Sequence, residues 1–334
     1  MRPASATGGA RIASFGFHFP GEPIDIASLP LEKAERDRLP KLGQKVTYAS
    51  DIDSTELMVA AARDALARSG TAAAQIGTII SAPSLVTAYG LEIPAVAVRA
   101  ALGSTQAECL NITQGCVGVL RGIYLARQLL LAEPERGDIL VVTSCRASRL
   151  THHFNHGAFF WGDAGAAVLV TARPGPGLHV AAYAERSADA EWGAMRIPFG
   201  DLESQAPDRE RSAIGLYFSS PDAQFDYIRG EQERFSAVLR ELTGEPAPGK
   251  PALEALFLPS TGQNRVKTLF SEDRQFLETL KTDFSYAHFG GVDPIFSLST
   301  YLDQRPLDGE GLFAALSPAF TAQWAGLLLE YRPR

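Results

Sequence analysis

The sequence predicts an α/β fold made of two related halves, and three observations lead there. Asp138 to Thr143 and Gly165 to Val170 are unbroken apolar runs, as expected of strands buried on both faces. Helix-periodic stretches alternate with short apolar runs along the whole chain. The pattern stops at Pro174-Gly175-Pro176-Gly177 and then begins again with a strand, which puts the boundary there. The expected halves are residues 1–173 and 178–334, and 334 residues suffice for one large or two medium cores.

Taken in order, Arg11 to Phe17 reads as the first strand, ended by Pro20-Gly21. Ser54 to Ser69 reads as a helix: Ser54 can cap it, Met58, Ala61, Ala62, Ala65 and Leu66 share a face, and Gly70 stops it. Ile76 to Ser81 is a strand, Ile93 to Leu102 a helix, and Cys109 to Ile112 a short strand. The helix after Cys116 carries Val119, Ile123, Ala126 and Leu130 on one stripe and ends near Glu133-Pro134. Leu178 to Ala184 opens the second half. Residues 185–225 show no clean period and read as a loop-rich insertion near the site. Tyr227 to Leu242 is a long helix, Glu245 to Pro251 a loop, and Leu253 to Leu258 a strand. Arg265 to Leu280 is mostly helical, Pro294 to Leu302 helical, and Leu327 to Tyr331 the closing strand.

Composition narrows the function classes. Hydrophobic residues make up 46% and charged residues 21%, an ordinary globular balance. A net charge of −7 gives no nucleic-acid surface, although an acidic carrier protein would need a local basic patch. No run is expected to reach the roughly 18 apolar residues of a membrane span. The start is too interrupted for a signal peptide. Cys109, Cys116 and Cys145 are too few and odd in number for a disulfide framework, so free thiols and a cytoplasmic location are expected.

The chemistry centres on Cys116, in Gln114-Gly115-Cys116-Val117-Gly118. Flanking glycines and the helix behind suggest a thiol on a tight strand-to-helix turn, where the helix dipole favours thiolate. A nucleophilic thiol also needs a group that takes up and returns its proton. His288 can shuttle the proton, because imidazole exchanges protons near neutral pH. Asp293, five residues on through Gly290-Gly291, can orient the imidazole, cap a helix starting at Pro294, or do both. His152 and His156 have helical i,i+4 spacing but lack further ligands nearby, so no metal site is expected. Gly162 to Gly165 lacks the lysine of a phosphate loop and reads as close backbone packing.

The cysteine turn resembles that of the β-ketoacyl-acyl-carrier-protein synthase III family of the thiolase superfamily. Trp161-Gly162-Asp163-Ala164-Gly165-Ala166 resembles its glycine-rich aspartate segment. Leu258-Pro259 with Asn264-Arg265-Val266 resembles its histidine-bearing segment, and Phe320-Thr321 through Trp324 its tail. The resemblance implies a thiolase-like fold layered αβαβα and a homodimer. It also implies no tightly bound cofactor, with acyl-coenzyme A or acyl-phosphopantetheine as substrate. An acyl carrier protein is an implied partner; nucleic acid and membrane are not. Tyr89, within Leu85 to Ile93, would reach a neighbour's acyl pocket. Ser260, Arg265 and Phe320 would face substrate, with Lys267 beside Arg265.

The departures matter as much. The family's condensing members use a histidine and an asparagine for decarboxylation. Their positions fall here on Ser260 with Gln263, and near Gly290-Gly291. Ala287-His288 through Asp293 is instead similar to a side branch that moves acyl groups to hydroxyl, amine or thiol acceptors, often in natural-product pathways. The oxyanion donors would be the N–H groups of Cys116 and, since Pro318 has none, Ser317 or Ala319, with Ala319 preferred. The expected activity is therefore acyl transfer through a Cys116 thioester to a small-molecule acceptor, with His288 as base and Asp293 behind it. Carbon–carbon condensation and an inactive subunit of a heterodimeric synthase are the alternatives.

Overall fold

The computed structural model describes residues 9–85, 87, 92–150, 159–188, 195–196, 215–216, 220–244, 252–305, 309–319 and 322–333. Among these, nine strands form one mixed sheet. They are β1 (Arg11–His18), β2 (Ile76–Ser81), β3 (Glu108–Asn111), β4 (Asp138–Arg146), β5 (Asp163–Thr171), β6 (Gly177–Ser187), β7 (Leu253–Phe257), β8 (Gly311–Ala319) and β9 (Gln323–Arg332). Their spatial order is β7-β8-β9-β6-β1-β5-β4-β2-β3.

One pairing scheme occurs twice. β4 lies parallel to β2 and antiparallel to β5, which lies antiparallel to β1. Likewise β8 lies parallel to β7 and antiparallel to β9, which lies antiparallel to β6. The two sets join where Arg11 pairs with His179.

The helices packed on this sheet are α1 (Ser54–Ser69), α2 (Pro94–Leu102), α3 (Gly118–Ala132), α4 (Pro221–Thr243), α5 (Gln263–Leu269), α6 (Arg274–Thr279) and α7 (Val292–Asp303). Side-chain alternation shows how they layer, since neighbouring strand residues point to opposite faces. Val141 and Val168 share a core with Val119, Ile123, Ile295 and Leu298 of α3 and α7, as do Ala315, Leu327 and Leu329 from the other half. The adjacent Leu140, Val142 and Ala167 pack instead on Met58, Ala61 and Ala65 of α1. Ala314, Leu316 and Leu328 pack on Phe235, Val238 and Leu242 of α4. Helices α3 and α7 thus fill the middle, the two strand sets flank them, and α1 and α4 lie outside, giving αβαβα. Both faces of the strands are covered, so β4 and β5 read as continuous apolar runs. Val119, Leu120 and Ile123 are fully buried, a gain of about 1.5–3 kcal/mol per side chain.

Glycines bring α1 onto the sheet. A Cβ on Gly165 would lie 2.2 Å from the Leu57 carbonyl oxygen, and one on Gly16 2.2 Å from that of Ala61. This is the close packing expected of the Gly162 to Gly165 segment.

Several elements differ from the sequence expectation. Asp53, not Ser54, caps α1: its carboxylate accepts from Thr55 N at 2.7 Å and Glu56 N at 2.8 Å, and Glu56 bonds back to complete a capping box. Residues 263–279 form two helices, because Asp273 caps a second start through Phe276 N at 2.9 Å. Strand β8 was not expected at all: its Ala-rich sequence, interrupted by Pro318, carries no readable period. The terminal strand is longer than expected and begins at Gln323. Against expectation, Gly115–Ala132 is long and apolar enough to cross a membrane; half of that window is buried inside the fold, as suits its place in the central layer. Most of residues 185–225 lies outside the described residues, as do His152 and His156.

Candidate functional site

Cys116 stands at the head of the central helix. β3 runs into the segment after Asn111, where Ile112 N donates to Ser81 O at 2.8 Å. Gly115 then adopts φ +55°, a left-handed turn open to glycine, and Gly115–Val117 forms a short 3₁₀ turn leading into α3. Cys116 is 1% exposed. Its Sγ lies 3.9 Å from Nε2 of His288, which is 172 residues away in sequence.

His288 is fixed by both backbone and ring. Its N–H donates to Phe160 O at 2.7 Å, and its carbonyl accepts from Gly162 N at 3.1 Å. The ring lies 4.4 Å from that of Trp161 and edge-on to that of Phe159 at 5.2 Å. Nδ1 is 2.5 Å from Asp293 Oδ2, and both residues are buried.

Asp293 sits in the first turn of α7, whose N-cap is Gly291. The capping alternative, with a helix starting at Pro294, is therefore corrected: the helix begins at Val292, and the carboxylate faces the imidazole. Ser260 N donates to Oδ2 at 2.8 Å and Phe289 N to Oδ1 at 2.7 Å. Gly290, at φ +63°, makes the turn between His288 and α7, and a Cβ there would meet Ser84 at 2.5 Å. Ser84 Oγ in turn accepts from Gly291 N at 2.8 Å.

The dipole argument for a resting thiolate does not hold. Burial, followed by the nearby Asp293, pushes the Cys116 thiol up to about 12, and a bond from its own backbone only partly offsets this. The thiol is protonated at neutral pH, so its proton has to leave as the sulfur attacks.

Two residues expected at substrate have partners within the fold. Ser260 Oγ donates to Tyr286 O at 2.6 Å, its N–H donates to Asp293, and its carbonyl accepts from Gln44 Nε2 at 2.7 Å. Arg265 is already paired, with Nη2 2.5 Å from the buried Glu231 and Nη1 3.2 Å from Thr261 Oγ1. Ala319 ends β8 beside the cysteine turn and packs with Val117 and Ala325. Tyr89 and Phe320 lie outside the described residues. All three cysteines are free thiols.

Gln44 and Ser84 did not emerge from the sequence. Gln44 bridges Ser260 O and Phe160 N, the latter donating to Oε1 at 2.8 Å, so it joins the segment behind Asp293 to the one behind His288. These bonds span 116 and 216 residues, and nothing local in the sequence signals them.

The repeated sheet around a central helix headed by a buried cysteine defines a thiolase-type fold. Residues 110–188 match the model of the family described as 3-oxoacyl-[acyl-carrier-protein (ACP)] synthase III. A β-ketoacyl-[acyl-carrier-protein] synthase III of Streptomyces glaucescens is 28% identical over 216 residues, 63% of this chain and 64% of that protein. The same enzyme of Syntrophomonas wolfei is 28% identical over 249 residues, 72% and 71% respectively. The match thus spans just under two thirds of the length of the first relative and somewhat more of the second. Among solved structures, 3-oxoacyl-(acyl-carrier protein) synthase from Burkholderia xenovorans superposes with a TM-score of 0.80 at 17% identity, covering 97% of this chain and 95% of that one. ChlB3, described as an acyltransferase, superposes with a TM-score of 0.78 at 16% identity over 97% and 98%. The chain therefore has the thiolase-like fold of these structures, and over residues 110–188 it is similar to the β-ketoacyl-acyl-carrier-protein synthase III family.

Proposed function

We propose that this protein is an acyltransferase that takes an acyl group from a coenzyme A or carrier-protein thioester onto Cys116 and passes it to a hydroxyl, amine or thiol acceptor. One observation supports this above all: the continuous line from Cys116 Sγ through His288 to Asp293, at 3.9 and 2.5 Å. A second supports it from the other side. Ser260, which falls where condensing relatives have a histidine, is committed to Tyr286, Asp293 and Gln44 and has no free base to offer.

In the proposed sequence the Cys116 sulfur attacks the thioester carbonyl carbon while its proton passes to His288 Nε2. The carbonyl electron pair moves onto oxygen, where the N–H groups of Cys116 and Ala319 would receive it. Collapse breaks the carbon–sulfur bond of the donor, and the departing thiol takes the proton from His288. An acceptor then gives its proton to Nε2 and attacks the Cys116 thioester. Collapse of the second tetrahedral adduct expels the Cys116 sulfur, which regains its proton from His288. Asp293, already accepting from two backbone N–H groups, keeps Nδ1 as the donor and Nε2 as the acceptor.

We place this transfer in natural-product tailoring and expect a homodimer in which Tyr89 reaches the partner's acyl pocket. The test is intact-protein mass spectrometry after incubation with a series of acyl-coenzyme A donors. Wild type gains one acyl mass and Cys116→Ala none; acylation of Cys116→Ala would remove the proposed nucleophile. Condensation is the second reading, favoured by relatives named as synthases. Carbon dioxide release from malonyl-coenzyme A, with a carbon–carbon-bonded product, would establish it instead.

A further inference from the structure

Behind the cysteine turn lies a polar network that the proposed chemistry does not use. Its centre is Glu185 on β6, with 18% of its side chain exposed. Arg121 Nη2, on α3, bonds it at 2.9 Å, and Tyr183 O–H donates to it at 2.5 Å. Gln114 Nε2, two residues before Cys116, reaches both carboxylate oxygens at 3.4 Å and Gln323 Oε1 at 3.4 Å. Arg121 also lies 4.6 Å over the Tyr183 ring. Burial and Glu185 hold the Tyr183 phenol well above its ordinary range, so it is protonated and donates.

The network ties two segments together. Gln114 and Arg121 bracket Cys116 on the turn and the first part of α3. Gln323 pairs with Ala319 across the terminal hairpin, and Tyr183 packs against the cluster of Val117, Ala319 and Ala325. The hairpin needs such support. Pro318 offers no N–H to the ladder. Ala322 stands at φ +56°, a left-handed conformation that persists in a non-glycine residue only where its surroundings enforce it.

We propose that Glu185 is a positioning residue that sets the Cys116 N–H and the Ala319 N–H relative to one another, so that both reach one developing oxyanion. The proposal rests on the acyl-transfer reading. Glu185 lies behind the turn and acts on the transition state of acylation, not on the reactivity of the sulfur itself.

The test compares two reactions at Cys116 in wild type, Glu185→Gln and Tyr183→Phe. Alkylation by iodoacetamide needs the thiol but no oxyanion donors. Acylation by p-nitrophenyl acetate, read as a burst of p-nitrophenolate with the acetyl mass on Cys116, needs them. Acylation should fall about tenfold or more in Glu185→Gln and less in Tyr183→Phe, while alkylation stays within about twofold of wild type. Acylation at the wild-type rate in a folded Glu185→Gln protein would overturn the inference. So would equal loss of both reactions in Tyr183→Phe, the milder change, because that marks a general packing role. Wild type that alkylates but never acylates would overturn the acyl-transfer reading and this inference with it.

Discussion

Replacing Asp293 by asparagine tests the arrangement at its most constrained point. The carboxylate serves three donors: His288 Nδ1 and Ser260 N on Oδ2, and Phe289 N on Oδ1. Asparagine has one oxygen and one NH₂ group in their place. With its oxygen toward His288, the NH₂ meets Phe289 N–H; flipped, it meets Ser260 N–H and the imidazole. Either orientation sets buried donor against donor, a penalty of about 1–3 kcal/mol. His288 can relieve the flipped form by moving its proton to Nε2, but that removes the acceptor facing Cys116 Sγ. The loss of general-base assistance is then about 10²–10⁴-fold in acylation rate. Quenched-flow acylation with the best donor from the mass-spectrometric series, beside thermal melts, measures both quantities. A folded Asp293→Asn protein that acylates within about threefold of wild type would refute the orienting role and leave Asp293 a packing residue.

Three other outcomes follow from the structure. Because burial pushes the Cys116 thiol up to about 12, its alkylation by iodoacetamide should keep rising to about pH 10; a plateau below neutral pH would mean a resting thiolate. Burial, with Arg332 nearby, lowers the pKa of His179 at the junction of the two strand sets, so the fold favours its neutral form. The unfolded chain then binds more protons, and stability is full above the unfolded value of about 6.5 and declines as pH falls from there through the folded value; His179→Gln should flatten that decline in urea titrations. Arg265→Ala should lower stability by about 1–3 kcal/mol by leaving Glu231, with 4% of its side chain exposed, short of its nearest partner. Adding Glu231→Gln should restore part of that loss, and denaturation midpoints decide it.

Much of the site was legible because it rests on local patterns. Gly115 before Cys116 and the stripe Val119, Ile123, Ala126 and Leu130 are short-range features, and the turn and central helix follow from them. His288 and Asp293 came forward because Ala287-His288 through Asp293 resembles the acyl-transferring side branch, with the two reactive residue types five apart around two glycines. Strand β8 was missed because it is mostly small residues, holds no β-branched one and has both faces covered, so neither alternation nor β-branching marks it. Ser260 and Arg265 were expected at substrate from the family resemblance, and sequence shows a side chain's type but not its partners within the fold. Tyr286 O, Asp293 and Glu231 claim them only once the chain has folded.

The sequence by itself therefore determined the alternation of elements and the placing of a thiol on a glycine turn, since both follow from short-range sterics and periodicity, while the chemistry expected of that thiol came from the family resemblance. Tertiary structure decided which groups meet and what state they hold. Packing α3 and α7 together in the central layer brings Cys116 and His288 to 3.9 Å across 172 residues. The same burial holds the thiol protonated against the dipole at its own helix end, because removing water from an ionisable sulfur outweighs the favourable partial charge of a helix terminus.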